Sequence, residues 1–360
     1  MVLLVSVDEV MADAKPNVYW SGFAFMGKKS DVRVQYAYTS KLNENTDDGT
    51  PYLSRIFREY FQGNIAKLNR INLKFGAADQ ELDTLALSLV MMDEKVLRES
   101  FGDIHKLVVQ LGFELVVLDF EGLNVVCSQP IVVEFRDVSD SAFTDEQIQE
   151  RIRLMIAGPD SQLQSVLNEK VGKVQVLGRN QCTLQIKKII VGDKVEPFLP
   201  EHLKSQPEVL NQFAAQQFGV LLSSKAEVAT LPFAKDAANA NMALVFSDGS
   251  AVQFKIPEPT FAVDLNLRGF KKVLSKKTAA ESLWVYGAFL DVKVYEPEFQ
   301  ITFFEKPLKY GVSKIVPASQ SKVDEFPVVS EAFKGVCLEA IDQIQKDKNT
   351  SKKVISKCKY

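Results

Sequence analysis

Residues 107–130, LVVQLGFELVVLDFEGLNVVCSQP, are strongly apolar, but their apolar positions do not recur at a helical spacing. Val109, Leu111, Phe113, Leu115 and Val117 alternate with Gln110, Gly112, Glu114 and Val116. A period of two sends successive side chains to opposite faces, which is the signature of a strand. Glu114 inside the run also argues against a lipid-buried helix. Asp119-Phe120-Glu121-Gly122 supplies turn chemistry, and residues 123–128 resume as a second strand that Pro130 ends or marks as an edge. The stretch predicts a long hairpin.

The pattern recurs in the C-terminal half. In residues 283–307, Trp284, Tyr286, Ala288, Leu290, Val292 and Val294 alternate, Tyr295-Glu296-Pro297-Glu298 turns, and a second strand runs to Pro307. Upstream of the first copy stand Leu85, Leu87, Leu89 and Met91; upstream of the second stand Phe261, Val263, Leu265 and Leu267, each set at strand spacing. Downstream of each lies an amphipathic helix. The first begins with a capping box, Thr144 with Gln147, and stops at Gly158-Pro159. The second has Pro327 in its first turn, with Val329, Phe333, Val336, Ala340 and Ile344 on one face. The fold class is therefore α+β. It is expected to comprise two tandem domains, 15–175 and 180–346, each an antiparallel β-sheet (a β-meander with a long hairpin) packed against helices on one face. A repeat this long is not that of a solenoid.

Elsewhere the signals are shorter. Val18, Trp20 and Ala24 begin a strand, 27–31 turn, and Val32, Val34, Tyr36 and Tyr38 alternate as its hairpin partner. Thr50 caps a helix over 51–62 that Gly63 stops. In 18–25, Trp20 takes one strand face, and Tyr19, Phe23 and Phe25 take the other; both sets read as core, with a binding surface as the alternative. Further elements are a helix over 161–171, a strand over 182–193, a helix over 207–222 and a hairpin turning at Ser247-Asp248-Gly249. The proline-bearing stretch 195–208 is the linker candidate.

Composition narrows the function. Hydrophobic residues make up 46% and charged residues 25% of the 360, as in ordinary globular proteins. With 43 basic residues against 46 acidic, the chain lacks the positive field of a nucleic-acid binder. No apolar run reaches the ~20 residues of a transmembrane helix. In residues 1–14 an apolar run precedes Ala12-Asp13-Ala14, the shape of an export cleavage site, although Asp8 and Glu9 interrupt it and no basic region precedes it. It reads as the remnant of an export signal or as a first strand of a cytoplasmic protein. Residues 347–360 are a Lys-rich tail, expected to be flexible and solvated, and Asn349-Thr350-Ser351 is a glycosylation sequon by letter. The cysteines, Cys127, Cys182, Cys337 and Cys358, form no C-x-x-C pair. A fold-back of the tail would join Cys337 to Cys358, and four packed thiols explain the same spacing.

Chemistry is sparse. The chain has two histidines, His105 and His202, and no G-x-S-x-G elbow, H-E-x-x-H or phosphate-cradling glycine motif. Asn43, Asn45, Asp47 and Asp48 resemble calcium ligands, but Asp48 and Ser54 stand where such a loop needs glycine and glutamate. Asp119 with Glu121, and Glu296 with Glu298, sit at turns that favour carboxylates without catalytic demand. No catalytic residue, metal ligand or cofactor is assigned. The reading is a non-enzymatic exported (periplasmic) binding or envelope-assembly protein, its partner a protein or small ligand in a cleft between the domains. The alternatives are a hydrolase with a site assembled from distant residues, and a cytoplasmic structural or interaction protein.

Overall fold

Long alternating runs become long strands. The computed structural model describes residues 15–44, 46, 48–76, 85–101, 103–174, 176, 182–200, 204, 207–234, 240–318 and 325–359. Its strands are β1 (Asn17–Met26), β2 (Asn72–Lys74), β3 (Leu85–Phe101), β4 (Ile104–Asp119), β5 (Asn124–Ser139), β6 (Leu184–Lys194), β7 (Thr230–Leu231), β8 (Asn241–Phe246), β9 (Ala251–Lys255), β10 (Phe261–Lys277), β11 (Glu281–Glu296) and β12 (Ile301–Pro317). The helices used below are α1 (Val32–Gln35), α2 (Ala37–Leu42), α3 (Tyr52–Gly63), α4 (Asp145–Ala157), α5 (Gln162–Lys170), α6 (Pro207–Ala226) and α7 (Phe326–Lys346).

Strands β3–β4–β5 and β10–β11–β12 are antiparallel meanders, followed by α4 and α7 respectively. Both belong to one mixed but antiparallel-dominated sheet, in the order β12-β11-β10-β6-β7-β5-β4-β3-β1-β8-β9, with β2 beside β1. The two meanders are joined through the short strand β7, which pairs with β5 at Ser128 and with β6 at Leu184 and Gln185. Strands β8 and β9, from the C-terminal half, add to β1 and β5 of the N-terminal half. The Lys255 N–H donates to the Leu123 carbonyl at 2.7 Å, so β5-β4-β3-β1-β8-β9 curls into a ring.

Three apolar cores follow from this curl. One face of the first meander (Leu107, Val109, Leu111, Phe113) packs under α3, α4 and α5 with Phe57, Ile152 and Leu167. The other face turns Val90, Val116 and Leu118 into the ring, where they meet Ala24, Leu244 and Phe254. The inner face of the second meander (Tyr286, Leu290, Val292) packs under α7 with Phe333, Val336 and Ile341. Helix α6 lies between the halves: Ala214 and Phe218 join that last core, and Gly219 faces Pro130 of β5. Thr144 caps α4 as the capping box predicts, accepting the Gln147 N–H while Gln147 Oε1 accepts that of Thr144. Thr144→Ala should lower stability by about 1 kcal/mol, read from the midpoint of urea unfolding.

Several expectations are corrected. Residues 32–42 are helical, so β1 has no hairpin partner there and runs parallel to β3. The Glu94 carboxylate accepts the N–H groups of Tyr38 at 2.9 Å and Thr39 at 2.7 Å, and this tertiary contact holds the first turn of α2 against the local alternation. Asn43 rather than Thr50 serves the start of α3, its Oδ1 accepting the Leu53 N–H. A bulge between Trp20 and Gly22 puts Trp20, Phe23 and Phe25 on one core instead of two faces. Pro130 and Pro307 lie inside their strands: β7 pairs with β5 only at Ser128, and β12 is the sheet edge, so neither proline breaks a central ladder.

The tail is packed rather than solvated through residue 359. Residues 348–358 form helical turns that bury Thr350, Val354, Ile355 and Cys358. Cys358 is disulfide-bonded to Cys182, with Cα atoms 4.7 Å apart. Cys337, on the buried face of α7, is not its partner. Residues 1–14, including Ala12-Asp13-Ala14, lie outside the described residues.

Candidate functional site

Strand β3 changes phase half-way along. Its register with β4 shifts between Met91 and Asp93. Before the shift Val90 and Met92 face the ring core; after it Lys95 and Leu97 take that face. Glu94 is thereby sent to the opposite side, where it anchors α2. A bulge is a device that re-aims side chains, and here it turns a lysine inward.

Cross-strand pairing then builds a floor. Lys95, Gln110 and Glu134 form one row across β3, β4 and β5, and Leu97, Val108 and Arg136 form the next. Helix α6 roofs it with Leu210, Phe213 and Leu221, and the first turns of α7 with Phe326 and Ser330. Between floor and roof is a cavity of about 400 Å3, with Lys106, Glu331 and Lys334 also in its wall. Gly112 lets α6 approach: a Cβ there would sit 2.5 Å from Gln216 Nε2.

Two ion pairs lie in the floor. Lys95 Nζ lies 2.7 Å from Asp93 Oδ2, an ion pair without hydrogen-bond alignment, and 5.0 Å from the Phe213 ring centroid. Glu134 accepts from Arg136 on the same strand. Both acid–base pairs flank β4, and Lys106, Glu331 and Lys334 add further charged groups to the wall. Lys95 and Gln110 are buried, and neither Gln110 Nε2 nor Ser330 Oγ has a hydrogen-bond partner among the described residues. Farther in, Glu114, Ser128, Gln212 and Gln216 line a pocket of about 20 Å3, room for one water. Burial pushes the Glu114 carboxyl from an ordinary 4.5 up to about 7, with Ser128 pulling the other way.

The residues with recognisable chemistry are elsewhere. His105 Nδ1 is 2.9 Å from Ser100 Oγ at the far end of the first hairpin, with no hydrogen-bonded carboxylate among the described residues. His202, Asn45 and Asp47 lie outside the described residues. Asn43 uses its side chain on Leu53 and Ser247, and Asp48 Oδ1 accepts from Thr46 and the Thr50 N–H. Asp119 Oδ1 accepts the N–H groups of Glu121 and Gly122, as a turn residue does. No cluster of metal-ligating side chains occurs among the described residues. None of the groove residues carries a motif. Only the interruption of the apolar run by Asp93, Glu94 and Lys95 signals that something changes there.

No known protein family and no curated protein matches the chain. Solved structures overlay on about half of it. A homolog of a neuraminyllactose-binding hemagglutinin from Helicobacter pylori covers 51% of this chain and 97% of its own, at 10% identity and a TM-score of 0.30. A minor lipoprotein from Acinetobacter baumannii covers 46% and 98%, at 11% identity and 0.26. A hypothetical protein from Chlamydia trachomatis covers 45% and 96%, at 12% identity and 0.27. None of these overlays reaches the similarity at which a shared fold is shown. Among the described residues no helix is long and apolar enough to cross a membrane.

Proposed function

We propose that this chain is a non-enzymatic, extracytoplasmic protein of the binding or envelope-assembly kind. It takes an apolar part of its ligand into the groove between the first meander and helices α6 and α7. The observation that carries this reading is the cavity of about 400 Å3 into which Gln110 and Ser330 bring unpartnered polar atoms. Ligand sites are typically apolar hollows with a few placed polar groups, and burying such groups without partners costs stability. An amphiphile fits: its chain against Leu97, Val108, Phe213 and Leu221, its polar group at Gln110 and Ser330. The Cys182–Cys358 disulfide supports an oxidising compartment. The hydrolase alternative has the Ser100–His105 contact, which is exposed and outside the groove.

Anilinonaphthalene sulfonate, an apolar ring system with an anionic group, is a direct probe. Its fluorescence should rise saturably with the folded protein. Val108→Trp, which fills the floor, should weaken it roughly tenfold or more, equivalent to about 1.4 kcal/mol. Equal affinity in the variant, with an unchanged circular dichroism spectrum, or a signal that never saturates, rules the groove out as a binding site.

A further inference from the structure

Among the described residues, the second meander is covered on one side only. Its inner face lies under α7, whereas the outer face carries apolar side chains that an ordinary solvated sheet face would replace with polar ones. By register, Lys276, Leu283 and Ile315 form one row of that face, and Val273, Val285 and Ser313 the next. Lys271, Gly287 and Gly311 follow, then Gly269, Phe289 and Lys309. Val273 and Ile315 are 46% and 57% exposed on it, and Leu274, at the open end of the opposite face, is 42% exposed. In segments 269–286 and 308–318 the sequence places six lysines against one acid, Glu281. Lys272 is committed within the fold, to Glu325 and the Trp284 ring. Lys271, Lys276, Lys277 and Lys309 are exposed.

We propose that this open end of the second meander docks on an anionic lipid surface. Single aliphatic side chains set among lysines match a headgroup layer, which takes the ammonium groups at its charged level and the aliphatics just beneath. A protein partner would be better served by aromatic anchors meeting a pocket. Here the one aromatic of these four rows, Phe289, lies beside Gly287 and under Arg268, its ring centroid 5.9 Å from the guanidinium carbon. A second copy meeting this face symmetrically would oppose lysine to lysine. The surface stands apart from the groove and does not depend on it.

The full chain, oxidised, should co-sediment with vesicles of phosphatidylcholine mixed with phosphatidylglycerol, not with phosphatidylcholine alone, and high salt should release it. Reversing Lys271, Lys276, Lys277 and Lys309 to Glu should weaken binding by roughly a hundredfold or more, at several-fold per lysine. Reversing Lys352, Lys353 and Lys357, exposed on the C-terminal turns at the other end of β12, should leave it unchanged. As a readout that needs no loss of function, Ile315→Trp should show a blue-shifted emission on the anionic vesicles. Absence of sedimentation, equal binding to both vesicle types, or wild-type binding by the lysine-reversed protein overturns the proposal. So does an emission from the Ile315→Trp variant that the anionic vesicles leave unshifted.

Discussion

The oxidised protein should resist unfolding better than the reduced protein by about 2–4 kcal/mol, read from guanidinium titrations with and without reductant. The bond between Cys182 and Cys358 spans 176 residues of sequence, so it removes a large loop-closure entropy from the unfolded chain. In the fold it fastens the C-terminal turns to the start of β6. The same turns insert Val354 and Ile355 into the core of the second meander, and the Cys358 carbonyl accepts the Ala229 N–H at 2.9 Å. Losing the bond therefore loosens a packed segment as well as lengthening the free chain. The other two cysteines stay thiols: Cys127 and Cys337 are fully buried, and burial holds their thiols well above the ordinary range, Cys127 at about 12. They should resist alkylation in the native state. Denatured without reductant, the protein should titrate two thiols of its four cysteines. Four thiols in protein isolated from its own compartment would remove the disulfide and, with it, the support for export.

The meanders were legible because each needs only local information. Phe113 and Leu115, like Leu290 and Val292, alternate through strands long enough to leave no other period, and Thr144 with Gln147 is a self-contained cap. What was not legible depends on distant partners. The alternation of Val32, Val34 and Tyr36 is real, but Glu94 holds the N–H groups of the next turn, and Val34 ends up in solvent. One inserted residue flips every later side chain. The bulges after Trp20 and Met91 therefore decided which of Trp20, Glu94 and Lys95 face where, and no propensity marks them. The groove is harder still to read. Lys95, Gln110 and Glu134 become neighbours only through strand register, and Phe213 and Ser330 arrive from helices far along the chain. The pairing of Cys182 with Cys358 likewise follows from where β6 ends up, since sequence proximity favours Cys337.

Glu114→Gln should leave stability nearly unchanged at pH 4 and raise it by about 3 kcal/mol at pH 8, the worth of a shift from 4.5 to about 7. The sign follows from proton binding. Burial disfavours the charged carboxylate, so the folded state keeps its proton up to about 7, whereas the unfolded chain releases it near the ordinary 4.5. Between those values the folded state binds more protons than the unfolded one, and stability falls as pH rises; outside the window this group contributes no slope. The amide is uncharged throughout and nearly the same shape, so the variant should lack that slope. Its surroundings suit either neutral group, since Gln212, Gln216 and Ser128 offer donors and acceptors around the small pocket. The measurement is a set of urea unfolding curves from pH 4 to 9 for both proteins. Parallel curves across that range would mean that Glu114 ionises at the same pH in both states, and that α6 does not seal it from water. If the seal holds, the pH response also reports on the groove beside it, because Gln216 packs over Gly112 between the two cavities. A ligand that orders α6 should then leave the lower end of the slope where it is, while an opened α6 should flatten the slope and bring wild type and variant together at pH 8.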